Sequence, residues 1–367
     1  MSQRRPFLVQ IIFLLVMSLV GLCVHAQENQ DILEDVVSDF VAVDGAALAV
    51  QVTTHEGTWA AAGGLADETH PATPADHFRI GSMSKTFVAV TALMLVEDGV
   101  FKLDDAAWTW LPTEVVENTA NADTVTIRQL LSMRSGIDDY LDTEEFWDAA
   151  LDDPTHKWTP AEALTYGYGL EPLFAPDEAY SYSNSNYLLV QLVLEKASGK
   201  PLHELMRTKI FVPLKMEDTY TQVRERQDDK IVYGYEDIDG DGTMDEVSTF
   251  NDGAGLGDGG LVSNVADVST FYKALLQDQT LLSEESTALL MDFEDDDEGS
   301  GYSLGLASSE TDYGQAIGHS GAVSGFVSDG FYLPDYETIV IVLSASADSA
   351  PDEIATATVD ALLDEDG

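Results

Sequence analysis

The stretch that decides the fold is Ser82-Met83-Ser84-Lys85-Thr86-Phe87-Val88-Ala89-Val90-Thr91-Ala92-Leu93-Met94-Leu95-Val96. From Thr86 onward it is apolar on nearly every side, the pattern of a helix enclosed by a core. Gly99, after Glu97-Asp98, supplies a C-terminal stop. Read as the helix opening, Ser82 and Lys85 stand three residues apart and share one helix face. A lysine entering a buried helix is costly unless its charge is paired. A serine is a weak nucleophile until a neighbour takes its proton, and a desolvated lysine can do that. The pair alone decides little, because a serine capping a helix with a surface lysine one turn on has the same spacing.

Residues 32–42 carry apolar positions at helical spacing. Ala46 to Val52 and Thr58 to Gly63 read as two strands joined around Glu56-Gly57. Residues 125–131, Tyr187 to Lys196, His203 to Ile210 and Leu261 to Gln277 read as helices. Strands are predicted at Tyr302 to Ala307, Gln315 to His319, Gly325 to Leu333 and Thr338 to Ser344, followed by a last helix from Asp352 to Leu363. Strands at both ends and helices between them predict an α/β (α+β) fold. One antiparallel sheet is built from both termini and flanked by helices, with a mostly helical region inserted over roughly residues 100–260. Residues 27–367 form one domain on this reading.

Two further motifs lie far from the first. Tyr182-Ser183-Asn184 sits in a polar turn before a helix, where capping is its ordinary role. His319-Ser320-Gly321 ends a predicted strand, and Gly321 and Gly325 allow a ligand or another chain close to the backbone. In order and spacing, Ser-x-x-Lys at 82, Tyr-x-Asn at 182 and His-x-Gly at 319 resemble the serine penicillin-recognising family. The branch is that of class C β-lactamases, D-Ala-D-Ala carboxypeptidases and related esterases. Leu130 to Ile137, Gly259 to Ser263 and Gly318 to Phe326 resemble further segments of that branch, so the resemblance covers about residues 35–363. It implies a β-lactamase/transpeptidase-like fold.

The resemblance also implies roles. Ser82 would attack a carbonyl and form an acyl-enzyme, and Lys85 and Tyr182 would share the proton transfers. Asn184 would bind the substrate amide and the Lys85 ammonium. The backbone N–H groups of Ser82 and Ala322, with Gly321 beside them, would form an oxyanion hole. His319 and Ser320 would face the substrate carboxylate or leaving group. Two departures stand out. His319 replaces the lysine of most β-lactamases, which brings the chain nearer the carboxypeptidases and esterases. Met133 replaces the usual histidine of the Leu-Leu-x-His segment, where a packing change is expected. The implied activity is D-Ala-D-Ala carboxypeptidase-like. Esterase and class C-like β-lactamase are the alternatives, and a penicillin or peptidoglycan sensor that acylates without turnover is the non-enzymatic one.

No cofactor is implied. His203-Glu204 lacks the second histidine of a zinc protease helix. Asp237, Asp239, Asp241 and Asp245, with Gly242, follow the start of a calcium loop. Ser248 stands where that loop needs its bidentate glutamate, so a solvated acidic turn fits as well.

Arg4 and Arg5, the apolar run Phe7 to Val24 and the small residue Ala26 have the form of a secretory signal cleaved after Ala26. An uncleaved anchor is the alternative; Cys23 makes a poor lipid site because Leu22 precedes it. The expected location is secreted or periplasmic. The expected partner is a small-molecule or peptidoglycan-peptide substrate, with no stable membrane partner after cleavage. The chain of 367 residues carries 17 Lys+Arg against 66 Asp+Glu, a net charge of −49. That excludes nucleic acid as a partner. With 45% hydrophobic residues it still folds around a core, under an acidic, strongly hydrated surface suited to high salt. Screening should relieve the self-repulsion of such a surface. The thermal midpoint of the purified protein is therefore expected to rise between dilute buffer and molar salt, and an unchanged midpoint contradicts this reading.

Overall fold

The computed structural model describes residues 27–41, 45–226, 231–238, 240–295 and 300–363. The signal-like segment and Asp239 lie outside these. Among the described residues, nine strands form one antiparallel sheet. Across it run Thr58–Gly63, Leu48–Thr53, Thr338–Ser344, Phe326–Leu333, Gly314–Gly318, Ala307–Thr311, Ser300–Tyr302 and Glu294–Asp295. Gly321–Val323 pairs separately with Phe326–Leu333. An early and a late strand lie side by side in it, Leu48 pairing with Ser344 and Thr53 with Ile339.

Both faces of this sheet are covered, so its central strands read as unbroken apolar runs. Alternate residues point to opposite sides. Ile339, Ile341 and Leu343 face the larger core with Ala47 and Ala49. Val340 and Val342 face a second cluster, with Leu48, Val50 and Val52. The second cluster is closed by Leu33 and Val37 from the helix over residues 27–41 and by Ile354 and Val359 from helix Pro351–Leu363. On the other face lies helix Ser84–Glu97, buried at every residue from Ser84 to Leu93. Phe87 stacks on Phe271 of helix Val265–Tyr272, with ring centroids 3.7 Å apart and planes at 15°.

Between the first two strands and the last ones the chain is mostly helical, with a small sheet of Phe78–Arg79, Leu261–Ser263 and Tyr220–Thr221. Two expectations are corrected here. Leu261–Ser263 is a strand, and the helix starts only at Val265, where the Asn264 side chain accepts from Asp267 N and caps it. Tyr302 to Ala307 is not one strand but the junction of two. Gly305, at φ +74°, turns the chain inward, where a Cβ would lie 2.7 Å from that of Ala89; its carbonyl accepts from Thr86 Oγ1 at 2.7 Å. Met133 is buried, and its sulfur accepts from Asn186 Nδ2 at 3.3 Å, so the expected packing role fits. In the acidic loop, Asp237 accepts the backbone amides of Asp241 and Gly242. Among the described residues no helix is long and apolar enough to cross a membrane.

The Phe87–Phe271 stack ties the helix that carries Lys85 to its neighbour. Phe87→Ala is expected to lower unfolding free energy by ~3–5 kcal/mol. Urea denaturation measures this; a midpoint close to wild type would show the stack contributes little.

Candidate active site

Ser82 lies in the 3₁₀ turn Gly81–Met83, immediately before the α-helix that begins at Ser84. The turn brings its hydroxyl back over the first helical residues, and Lys85 Nζ lies 2.9 Å from Ser82 Oγ. Lys85 is fully buried. Its Nζ donates to Asn184 Oδ1 at 2.7 Å and to the backbone carbonyl of Asp258 at 2.6 Å. These two acceptors cannot donate, so they take two N–H groups whatever the charge on the nitrogen. The third direction, toward Ser82, is the only one of the three that can run either way. An ammonium donates to the hydroxyl there, and a neutral amine accepts from it.

Asn184 opens helix Asn184–Ser198. Its amide is oriented by Asp139, whose Oδ2 accepts both Asn184 N at 2.9 Å and Asn184 Nδ2 at 2.7 Å. With the NH₂ so engaged, Oδ1 is left to face Lys85. Asp258 comes from the glycine-rich loop before Leu261–Ser263, and its Oδ2 accepts the Tyr140 hydroxyl at 2.8 Å. Asp139, Tyr140 and Asp258 were not singled out from sequence, because nothing in their local pattern marks them.

The remaining motif residues converge on the same place. The Tyr182 ring centroid is 5.0 Å from Lys85 Nζ, and the Tyr182 and His319 rings are 6.3 Å apart. His319 follows strand Gly314–Gly318 and is buried. Both its nitrogens are engaged, Nδ1 with the Ser320 carbonyl at 2.6 Å and Nε2 with the Tyr302 hydroxyl at 3.2 Å. Burial, and then the Lys85 charge, pull its pKa down to about 4, so it is neutral at pH 7. Ser320 is exposed and does not line the cavity in front of Ser82.

Gly321 and Ala322 pack against the serine turn. A Cβ on Gly321 would come 2.9 Å from Ser82 N, and one on Gly81 would come 2.7 Å from Ala322 N. Only glycines let these backbones approach so closely. Ala322 opposes Val327 one step from the turn-closing pair Val323 and Phe326. By the alternation of an antiparallel ladder, its N–H then points away from that partner strand. Two amides, of Ser82 and Ala322, thus stand side by side at a cavity of about 360 Å³ lined by Ser82, Asn184 and Ala322. That is the donor arrangement a tetrahedral oxyanion needs.

Burial pushes the Asp258 carboxyl from 3.8 up to about 6, against the pull of Lys85 and the Tyr140 hydrogen bond. Because the folded value lies above the unfolded one, protonation favours the native state. That contribution is complete below the unfolded value and is lost as pH rises through the folded one, so the carboxylate costs about 3 kcal/mol at higher pH. Asp258→Asn is expected to raise unfolding free energy at pH 8 by roughly 1–3 kcal/mol. The gain should vanish near pH 4; urea denaturation at the two pH values tests this, and an equal effect at both contradicts it.

Comparisons with known proteins identify the family and the fold. A family model described as Beta-lactamase matches residues 33–365. Penicillin-binding protein 4* of Bacillus subtilis (strain 168) is 31% identical over 286 residues, which make up 73% of this chain and 60% of that relative's length. A D-stereospecific amidohydrolase from Streptomyces sp. superposes with a TM-score of 0.81 at 26% identity, covering 92% of this chain and 99% of the other. The octameric penicillin-binding protein homologue from Pyrococcus abyssi superposes with a TM-score of 0.78 at 25% identity, covering 90% and 77%. A serine, a lysine and a tyrosine gathered at paired backbone amides, on a fold matched over nearly its whole length, accompany a family match over residues 33–365, and the chain belongs to the β-lactamase family.

Proposed function

We propose that this chain is a secreted hydrolase that cleaves a small amide or ester through an acyl-enzyme on Ser82. The observation that carries the reading is the 2.9 Å contact between Lys85 Nζ and Ser82 Oγ, inside a cage whose two other members only accept. As Ser82 attacks the carbonyl, its proton moves along that contact to Nζ. The developing oxyanion lies against the amides of Ser82 and Ala322. Tyr182, over the Lys85 nitrogen, passes a proton to the departing amine or alcohol. Water then attacks the ester by the reverse route and frees Ser82.

The sequence resemblance favours a D-Ala-D-Ala carboxypeptidase, which must hold a terminal carboxylate. His319 supports that poorly here, since it is neutral and both its nitrogens are taken. The likeness to a D-stereospecific amidohydrolase supports an amidase instead. Secretion rests on the N-terminal signal-like segment.

Ser82→Ala is expected to abolish both turnover and covalent labelling by a fluorophosphonate, and wild-type labelling of that variant would end the proposal. Tyr182→Phe should slow acylation by ~10²–10⁴-fold, the usual cost of a lost acid–base group. In a panel of nitrocefin, a D-Ala-D-Ala peptide, an amino-acid amide and a p-nitrophenyl ester, the last two are expected to turn over fastest. Faster release of D-Ala would restore the carboxypeptidase reading.

A further inference from the structure

The third motif sets an imidazole beside Tyr182, and two hydrogen bonds decide which form it takes. His319 Nδ1 lies 2.6 Å from the Ser320 carbonyl. A carbonyl only accepts, so Nδ1 carries the proton. On a neutral ring Nε2 is then a bare acceptor. Its neighbour at 3.2 Å is the Tyr302 hydroxyl, which must donate to it. Tyr302 ends strand Ser300–Tyr302, just before the turn in which Ser303 N donates to the Leu306 carbonyl at 2.9 Å. Both rings are buried. The phenol keeps its proton, because burial holds the Tyr302 pKa well above its ordinary value.

The groups that face His319 oppose a second proton on it. The Tyr302 and Tyr182 rings flank the imidazole, with centroids 5.7 and 6.3 Å away. Lys85 acts on it from helix Ser84–Glu97, and Tyr272 of helix Val265–Tyr272 stands by its backbone. Among the described residues no carboxylate acts on it. An imidazolium here would be a buried charge beside a like charge, with no anion to offset either. It would also repel the proton that Lys85 takes from Ser82. The same rings seat Tyr182. Its ring meets Tyr302 edge-on, with centroids 6.1 Å apart and planes at 88°, and its centroid lies 5.0 Å from Lys85 Nζ.

We infer that Tyr302 is a positioning residue of this site: its hydroxyl fixes His319 as the neutral Nδ1–H tautomer, and the locked pair seats the Tyr182 ring over Lys85. His319 then shapes the site without exchanging a proton in the reaction, and Lys85 keeps its basicity. The kinetic part of this inference rests on the acyl-hydrolase reading above.

The test joins NMR of protein labelled at its histidine nitrogens with kinetics on a p-nitrophenyl ester. His319→Gln identifies the His319 signals by their loss. In the wild type these are expected to show the Nδ1–H tautomer and a titration midpoint of about 4. Tyr302→Phe keeps the ring and removes the donor to Nε2. Its midpoint should therefore rise by about one pH unit, the worth of one hydrogen bond to the neutral form. Its kcat should fall about tenfold with KM little changed. Its drop in kcat/KM from pH 7 to pH 5 should be about twofold steeper than that of the wild type. The double variant Tyr302→Phe/His319→Gln should lose that extra steepness. A purely packing role for Tyr302 would move neither the midpoint nor the pH profile, and that result overturns the inference. So does an Nε2–H tautomer in the wild type, or a wild-type midpoint above 6. Failure of Ser82 to label with a fluorophosphonate would instead overturn the acyl-hydrolase reading and, with it, the role given to Tyr302, while the NMR signals still report the tautomer.

Discussion

Everything at the site depends on holding one lysine nitrogen inside a core. Lys85 sits on a helix buried from Ser84 to Leu93, where an unpaired charge would not survive folding. Its three partners come from three separate parts of the chain: the serine turn, the start of helix Asn184–Ser198 and the loop carrying Asp258. Each of the latter two is held in turn, Asn184 by Asp139 and Asp258 by Tyr140. Asp139 and Tyr140 are consecutive, so a single short segment steadies both sides of the cage. The demands of a buried amine and of a reactive serine are met by the same hydrogen bonds. This explains why so much of the helical region closes around one point.

Several parts of this arrangement were legible in the sequence. Ser82 and Lys85 were visible because helical spacing alone puts them together, and the apolar run behind them announced burial. The central strands were visible because both faces of the sheet are covered, leaving runs such as Thr338–Ser344 apolar at nearly every position. Tyr182, Asn184 and His319 became legible only as a set, through their order along the chain. Asp139, Tyr140 and Asp258 stayed hidden, since a carboxylate that orients an asparagine looks locally like any loop acid. In a chain with 66 acidic residues that camouflage is complete. Leu261–Ser263 was misread for a related reason. Three apolar-to-polar residues suit either a helix start or a short strand, and the pairing partners Phe78–Arg79 and Tyr220–Thr221 decide between them from far away.

The two ends of the site differ in character. Around Tyr182 stand aromatic rings and a neutral imidazole, with Tyr302 edge-on to both Tyr182 and His319. In front of Ser82 stand carboxylates fixed to a hairpin tip. Ser82 and Lys85 lie on the border between an aromatic wall and a pocket lined by Glu236 and Asp252.

The sheet's closure has a consequence for how the protein is made. Strand Leu48–Thr53 lies near the N-terminus, yet one of its neighbours is Thr338–Ser344, and the hairpin carrying Ala322 is nearly as late. A chain still emerging from the ribosome therefore lacks both the middle of its sheet and one of the two amides beside Ser82. Contacts so distant in sequence form slowly and together. Closure of the sheet and of the amide pair at Ser82 thus waits until residues 321–344 have been made.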